Sequence, residues 1–424
     1  MPVRSILRVN SGSWLALPMV LLAAIFAWNY QPTTSDPYAM ALTAAGTITL
    51  AFVAPICAAL GAWEGSRFRR AAWWQAPHVR SGAVIAAWST GPVIIAGSVA
   101  VTLAVMLQLT RAGLFVPDAR LLALTVLVIA AHTMLGFAAG LWVSVVIAAP
   151  AMLIVSFLWM AFLATIEPLW VRHLNGSLAT CCGLQQDLAP AALAAASLVA
   201  VGMIASALLL IAQQRWSLVR GGIAVVVLAV GFAAGSAIAS PLGPDPVIAR
   251  DASALVCAKD PSGVEVCVWP EHAPRLDEVL GIAAGAVTAW DAAGIPNPRR
   301  FSEGAPADQA APAFGFSLES TGADIVGALA YSLLPPRPSC ADTGPYPSAS
   351  ALDDLHAWFA AVAGMSAPDL AQRFDVPAAP ADRAPLDAVR ALRERPRKVQ
   401  QEWVSHNLEA ARDCVGEPVN VPTA

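Results

Sequence analysis

Charge is scarce in this chain of 424 residues. Asp, Glu, Lys and Arg make up 13% of it, whereas ordinary soluble domains contain about a quarter. Lysine is almost absent, since only Lys259 and Lys398 occur. Hydrophobic residues account for 57% of the chain, and the mean hydropathy is +0.61. This composition excludes a disordered chain and argues against a purely soluble enzyme.

Sequence motifs of catalysis and nucleotide binding are also missing. The chain contains no G-x-x-x-x-G-K-[ST] phosphate loop, no H-E-x-x-H, no G-x-S-x-G and no C-x-x-C. Its six histidines are scattered without the spacing of metal ligands. We therefore predict no enzyme activity, no metal and no cofactor, and no nucleotide hydrolysis by a phosphate loop.

The remaining charge divides the chain into two parts. Residues 1–240 contain 11 Arg and 5 acidic residues, a net charge of +6. Residues 241–424 contain 14 Lys and Arg against 24 acidic residues, a net charge of −10. So abrupt a change in net charge indicates that the two parts of the chain lie in different environments. The acidic second half also argues against nucleic acid as a partner, because a polyanion would be repelled.

Long apolar runs dominate residues 1–240. A helix needs about 20 mostly apolar residues to cross a bilayer, and seven segments approach or exceed this length. They are Trp14–Tyr30, Tyr38–Trp63, Ala83–Leu109, Leu121–Val143, Ser144–Ile166, Ala191–Gln213 and Gly222–Ser240. The fourth and fifth come from one uncharged run, for which we predict a tight hairpin near Ala148–Pro150 because proline breaks helices. The Gly- and Ala-rich seventh segment suits close helix packing.

Arginine placement predicts the orientation of these segments, since positive charge is retained in the cytoplasm. With a cytoplasmic N-terminus, eight Arg lie inside and three (Arg111, Arg120 and Arg172) lie outside. Seven spans then place the C-terminal domain outside the cytoplasm. The predicted location is a bacterial cell membrane, and the predicted fold is an α-helical polytopic membrane protein with a small, mostly helical α+β C-terminal soluble domain.

Cysteine positions agree with this orientation. Cys57 lies in the second segment, and the other six cysteines fall on the predicted outer side, where disulfides persist. Centring a hairpin on Ser262 places Cys257 opposite Cys267, and we predict a disulfide there. Cys340 and Cys414 then pair by elimination. The state of the adjacent Cys181 and Cys182 stays open: because a bridge between neighbouring residues is strained, we expect them to be free, to bridge two subunits or to pair with the outer domain.

The second half divides into a linker, 241–253, and a domain, 254–424. The linker is rich in proline. After the hairpin, apolar periodicity predicts helices, and a short strand is expected at Ala313–Leu318. The predicted helices are Pro274–Ala293, Ala323–Leu334, Ala351–Ala363, Pro368–Phe374 and Leu386–Cys414, the last interrupted near Pro396, with a loop at Asp375–Pro385 before it.

Two polar features are candidate functional positions. Glu271 and His272 follow a predicted strand and precede a helix, where a metal or catalytic pair could sit, although an ordinary helix N-terminal turn is the favoured interpretation. His132 is an ionisable group inside the fourth segment. Because no segment supplies it with a carboxylate, we favour a neutral histidine hydrogen-bonded between helices.

The segment Gly61–Gly82 is the richest in charge. It contains Glu64, Arg67, Arg69 and Arg70, with Trp73 and Trp74 beyond them. Basic residues interleaved with aromatics suit an interfacial helix on an anionic lipid surface. They suit a helix that docks a partner protein equally well, and Glu64 favours docking.

Two stretches of the chain resemble known families. The start, Arg4-Ser5-Ile6-Leu7-Arg8 followed by Trp14-Leu15-Ala16-Leu17-Pro18, resembles the amphipathic entry of ABC-2-type permease subunits. In that family the loop after the second span contacts a separate ATPase, and the stretch from Ala62 to Arg70 occupies that place. The chain is also similar to actinobacterial membrane proteins that carry Val-Cys-Val-Trp-Pro-Glu-His in an outer domain, here residues 266–272.

These observations favour one function and leave others open. The first is a permease-like subunit that works with a separately encoded ABC-type ATPase, its outer domain gating or recruiting cargo. The alternative is a surface receptor or scaffold whose spans only anchor the outer domain in the lipid bilayer. The least favoured hypothesis is an outer metallohydrolase that uses Glu271 and His272. The sequence leaves the cargo and the oligomeric state open.

Overall fold

The structure is a computed structural model that describes residues 10–32, 36–71, 81–212, 218–304, 314–339, 346–374 and 385–419. The chain divides into two compact units, Met1–Arg250 and Asp251–Ala424. Each unit has a hydrophobic core of its own.

The first unit is built from apolar helices. Its helices are α1 (Ser11–Asn29), α2 (Ala39–Gly46), α3 (Leu50–Arg70), α4 (Gly82–Arg111), α5 (Ala119–Trp142), α6 (Val145–Phe162), α7 (Pro190–Ile211) and α8 (Leu218–Ala239). A 3-10 turn joins α2 and α3 into one stretch, so that seven stretches in the described residues are long and apolar enough to cross a membrane. Each of them overlaps one predicted segment.

The break between α5 and α6 differs from the predicted position. The helix ends at Trp142, and the extended backbone of Val143 and Ser144 separates it from the next helix. Pro150 lies inside α6 rather than at the turn, so the hairpin expected near Ala148–Pro150 is wrong by several residues. Pro150 is the sixth residue of α6 and removes one hydrogen bond of the helix, a loss that membrane-type helices tolerate. Ser144, by contrast, has the extended conformation that precedes a helix.

Helices α3 and α5 cross with their backbones in close contact. A Cβ atom added to Gly61 or Gly65 would overlap the carbonyl oxygen of Thr133 or Phe137. The contact is reciprocal, because Cβ atoms on the glycines of α5 would overlap carbonyl oxygens of α3; these glycines are Gly136 and Gly140, facing Ala58 and Ala62. Glycines four residues apart on both helices permit this approach, as in close-packed membrane helices.

Helices α7 and α8 also meet through glycine. A Cβ atom on Gly202 would lie 3.1 Å from the Cα atom of Gly231, and Gly235 faces the carbonyl oxygen of Ala195. This agrees with the close packing expected of the Gly-rich seventh segment. Most of α8 is exposed, however, since only 17% of the residues in its most apolar stretch are buried.

The last residues of the first unit belong to a small two-stranded sheet. Strand β1 (Gln186–Leu188) pairs antiparallel with β2 (Val247–Ala249). The segment 241–253 is therefore not a plain linker: its middle is held by backbone hydrogen bonds, and the boundary between the units lies at Arg250 and Asp251. Proline content alone did not reveal this pairing, because the partner strand lies about 60 residues earlier.

The second unit begins with a three-stranded sheet of β3 (Val256–Lys259), β4 (Glu265–Val268) and β5 (Arg300–Ser302). In the β3–β4 hairpin, Cys257 lies opposite Cys267, which is the register predicted from Ser262. The turn has Gly263 at φ 93°, a conformation that glycine adopts without steric cost. Hydrogen bonds from the Ser262 hydroxyl hold the pKa of the Asp260 carboxyl below its usual value.

Helices cover this sheet and supply most of the core. They are α9 (Leu276–Ala293), α10 (Gly322–Tyr331), α11 (Ala349–Val362), α12 (Ala367–Phe374), α13 (Pro385–Arg393) and α14 (Arg397–Ala410). Trp290, Trp358 and Phe359 are among the largest fully buried side chains. All five predicted helical regions are helical, and the last is interrupted at Pro396 as expected.

One strand assignment in this unit is wrong. Residues 314–318 contain no strand, and the third strand is Arg300–Ser302, which pairs parallel with β4. A stretch of three residues is too short to show the alternation of apolar and polar residues that indicates a strand. Its strand conformation follows from its pairing with β4. Phe314 does contact this strand, because its backbone N–H donates to the Ser302 carbonyl. Ala313 and most of the expected loop Asp375–Pro385 lie outside the described residues.

The glycine contact predicts a position-specific effect of substitution. Gly136→Ala should destabilise the first unit by about 1–3 kcal/mol, the usual cost of overpacking, because its methyl group would overlap the Ala58 carbonyl. Gly91→Ala in α4 is the matched control, since nothing lies within 4 Å of its Cβ position. Thermal unfolding of the purified full-length protein in mild detergent measures both; equal midpoints for the two variants would contradict the prediction.

Candidate functional site

The end of α3 is joined to the start of α1 by a buried carboxylate. Glu64 is 3% exposed. It accepts hydrogen bonds from the backbone N–H of Ser11 at 2.8 Å and from the Ser11 hydroxyl at 2.7 Å. Ser11 is the first residue of α1, so the carboxylate satisfies a backbone donor that no helical carbonyl reaches. Arg67 completes the arrangement with an ion pair to Glu64 at 3.1 Å.

The four residues expected to dock a partner therefore divide into two groups. Glu64 and Arg67 are engaged within the chain, and Glu64 is too buried to contact another protein. Arg69 and Arg70 are exposed at the end of α3. This segment is a continuation of α3 rather than a separate interfacial helix, as far as Arg70; Trp73 and Trp74 lie outside the described residues.

Disulfides join most of the cysteines. Cys257 is bonded to Cys267, as predicted. Cys181 and Cys182, both buried, are bonded to each other, so the expectation that they are free, bridge two subunits or pair with the outer domain is wrong. Cys414 is also disulfide-bonded, but Cys340 lies outside the described residues, so its pairing with Cys414 stays a prediction. Among the described cysteines only Cys57, buried in α3, is a free thiol.

His132 is hydrogen-bonded between two helices. Its Nδ1 atom lies 2.7 Å from the hydroxyl oxygen of Ser156, with both residues buried. His132 belongs to α5 and Ser156 to α6, so the bond links two neighbouring apolar helices. This is the structural role favoured by the sequence, and the bond satisfies a polar group that burial would otherwise make costly.

The histidine of the pair Glu271 and His272 has a different acidic partner. His272 Nδ1 lies 2.8 Å from Oε1 of Glu303, and the two side chains are 0% and 2% exposed. The second oxygen of Glu303 accepts the backbone N–H of Trp269 at 2.8 Å. One carboxylate thus orients the imidazole and holds the chain that leads into it.

Aromatic and cationic groups surround this pair. The His272 ring packs on Phe316 with centroids 4.4 Å apart, and the Arg275 guanidinium lies 5.7 Å from the same phenyl ring. Arg275 also donates to the carbonyls of residues 317, 318 and 320. Its hydrogen bonds to Glu278 lower the pKa of that carboxyl. These contacts hold the segment 314–320 against the pair.

Sequence reasoning missed Glu303 because it lies 31 residues from His272 in an irregular, proline-rich segment. No spacing rule connects the two positions, and only the parallel pairing of β5 with β4 brings them together. A carboxylate bonded to one imidazole nitrogen is a common device for orienting a catalytic or ligating histidine.

The described residues contain one group of three side chains with metal-ligating atoms close together: Cys257, Glu265 and Cys267. The two sulfur atoms of this group are joined in a disulfide. They are therefore not thiolates, which are the form in which cysteine binds metals. This oxidised group does not supply the ligands of a zinc site.

The comparison with protein families finds a match in the second unit. A family model described as a domain of unknown function (DUF7224) matches residues 266–414. The matched region lies within the second unit and contains both His272 and Glu303. No curated protein and no solved structure matches the chain.

The His272–Glu303 pair predicts a stability effect in the second unit. Glu303→Ala should lower the unfolding temperature, because a buried donor that loses its acceptor costs about 1–3 kcal/mol and two donors depend on this carboxylate. Glu402→Ala is the control, because its ion pair with Lys398 is exposed and such pairs are worth about 1 kcal/mol or less. Thermal unfolding of the full-length protein gives both values; an unfolding temperature unchanged by Glu303→Ala would show that the pair contributes little.

Proposed function

We propose that the chain is a permease-like subunit of a bacterial cell membrane that works with a separate ABC-type ATPase. Its N-terminus is cytoplasmic, and the second unit lies outside the cytoplasm, where it gates or recruits cargo. The observation that carries the proposal is the end of α3, where Arg69 and Arg70 are exposed directly beyond the buried contact between Glu64 and Ser11.

The geometry of α3 supports a docking role. An exposed basic helix end suits a partner only if its position is defined, and the buried Glu64 ties this end to α1 through two hydrogen bonds of 2.7 and 2.8 Å. A movement of a partner protein bound to Arg69 and Arg70 would therefore be transmitted to both α3 and α1. The resemblance to ABC-2-type permeases assigns the same segment to ATPase contact. Residues 1–424 contain no phosphate loop, and the proposal therefore assigns ATP hydrolysis to a separate subunit.

Three features support the proposed topology. The described residues contain seven apolar stretches of spanning length, and if each crosses the bilayer once, this odd number puts the two ends of the first unit on opposite sides. Arginine is concentrated on the side of the N-terminus. Disulfide-bonded cysteines, which persist in oxidising compartments, occur in loops of the opposite side and in the second unit.

A second candidate function is a membrane-anchored receptor or scaffold without transport. The observation that favours it is the second unit itself, which has its own hydrophobic core and its own disulfide. In this case the apolar helices only anchor the unit, and no ATPase accompanies the chain.

Charge reversal tests the docking proposal. The double variant Arg69→Glu and Arg70→Glu should lose an ABC-type ATPase that co-purifies with the wild-type protein in mild detergent, identified by mass spectrometry. Arg220→Glu is the control, because Arg220 is exposed and cytoplasmic in the proposed topology. Full retention of the ATPase by the double variant would refute docking at this helix end. Absence of any ATPase from the wild-type preparation would favour the receptor or scaffold.

Cysteine labelling tests the topology. After mild reduction of intact cells, a membrane-impermeant maleimide should label Cys257 and Cys414, whereas unreduced cells should show little labelling because these residues are disulfide-bonded. Cys57 is buried in α3 and should stay unlabelled. If the reduced cysteines of the second unit react only after the membrane is broken, the proposed topology is wrong.

A further inference from the structure

A groove lies on the surface of the first unit between α1 and α4. Its volume is about 580 Å³, and its lining residues fall between positions 12 and 20 of α1 and between positions 87 and 99 of α4. The stretch on α4 is about 18 Å long at 1.5 Å per residue. Apart from Ser13, the lining residues have hydrocarbon or aromatic side chains or no side chain. The groove is therefore long and almost wholly apolar.

The two helices that form the groove run in the same direction and are tied together. The Asn10 side chain donates to the carbonyl of Ser89 at 2.8 Å, and the Gln108 side chain donates to the carbonyl of Ala27 at 2.6 Å further along the pair. Both helices are apolar and of spanning length. At the depth of such helices the surrounding solvent is lipid rather than water.

Exposed indoles mark one end of the groove as the level of a membrane interface. Trp88 belongs to the lining, next to the residue of α4 that is bonded to the start of α1. Trp14 lies one turn into α1, and Trp63 precedes the carboxylate that is bonded to Ser11. All three indole side chains are exposed. Exposed tryptophans of membrane proteins gather where hydrocarbon meets the lipid headgroups.

The protein is basic just beyond this end. Helix α3 continues past Glu64 for two turns and carries Arg67, Arg69 and Arg70 there. Glu64 pairs with Arg67, while Arg69 and Arg70 are exposed. Three guanidinium groups against one carboxylate leave this end of α3 positive. Basic clusters at the headgroup level attract anionic lipids.

We propose that the groove binds one acyl chain of an anionic phospholipid, with the headgroup at the level of the arginines of α3. A volume of about 580 Å³ is that of about 19 water molecules at ~30 Å³ each. A methylene group is of similar size, so one long acyl chain fits the groove. Among lipids of equal apolarity close packing supplies the attraction, and a groove contacts the chain on more than one side. The inference rests on the membrane location in the proposed function but not on the ATPase.

Native mass spectrometry of the full-length protein in mild detergent tests this site. Titration of the delipidated protein with phosphatidylglycerol should show saturable binding of one lipid before any others. Phosphatidylcholine with the same acyl chains is zwitterionic and should bind about fivefold more weakly, the factor that corresponds to ~1 kcal/mol for a basic residue near an anionic surface. Absence of saturable phosphatidylglycerol binding, or equal affinity for the two lipids, would overturn the proposal.

Matched glycine variants locate the binding. Gly91 belongs to the lining, and no atom lies within 4 Å of its Cβ position. Gly91→Leu should weaken phosphatidylglycerol binding about tenfold, which corresponds to about 1.4 kcal/mol and lies within the usual cost of overpacking. Gly222→Leu is the control, because Gly222 in α8 has an equally open Cβ position outside the lining. It should leave the affinity unchanged.

A second groove variant guards against loss of the fold. Ala87 is an exposed lining residue, and Ala87→Leu should weaken the binding as Gly91→Leu does. The unfolding temperature of each variant shows whether the fold persists. Wild-type affinity in a folded groove variant would overturn the proposal. Co-purification of an ATPase is a separate readout, so the lipid site and the docking proposal fail independently.

Discussion

The close crossing of α3 and α5 is the constraint on which the first unit depends. Gly61 and Gly65 on one helix and Gly136 and Gly140 on the other bring backbone against backbone, with no room for a side chain. Apolar side chains alone do not hold helices together in lipid, because lipid is as apolar as they are. Close packing supplies the attraction instead, and the crossing fixes the direction in which α3 leaves the bundle. The position of its basic end follows from these glycines.

The charged groups of the first unit have two roles that composition does not distinguish. Glu64 is a structural carboxylate that closes the N-terminus of α1, and Arg67 accompanies it. Arg69 and Arg70, only a turn further along, remain exposed. A helix of 3.6 residues per turn directs neighbouring residues to different faces, so one short basic segment can both pack and present charge. The proposed docking role depends on this division.

The second unit likewise contains buried polar groups that are hydrogen-bonded to one another and a buried polar group that is not. The carboxylate of Glu303 bonds both His272 and the backbone at Trp269, and this network packs on Phe316. By contrast, the indole N–H of Trp358 has no acceptor among the described residues. The first arrangement holds the entry to α9, and the second lies at the exit of the same helix.

The sequence by itself determined the seven apolar stretches, the helices of the second unit and the Cys257–Cys267 register, because each depends on local periodicity or on a short turn. Tertiary structure alone decided the pairing of His272 with Glu303, the burial of Glu64 and the strand at Arg300–Ser302. In each of these cases the partner lies 30 or more residues away in the chain, and no local pattern specifies it. The proline-directed break at Ala148–Pro150 was wrong for a related reason, since the conformation at Ser144, rather than the proline, begins α6. Periodicity is a property of one segment, whereas buried polar partners are selected by the packing of several.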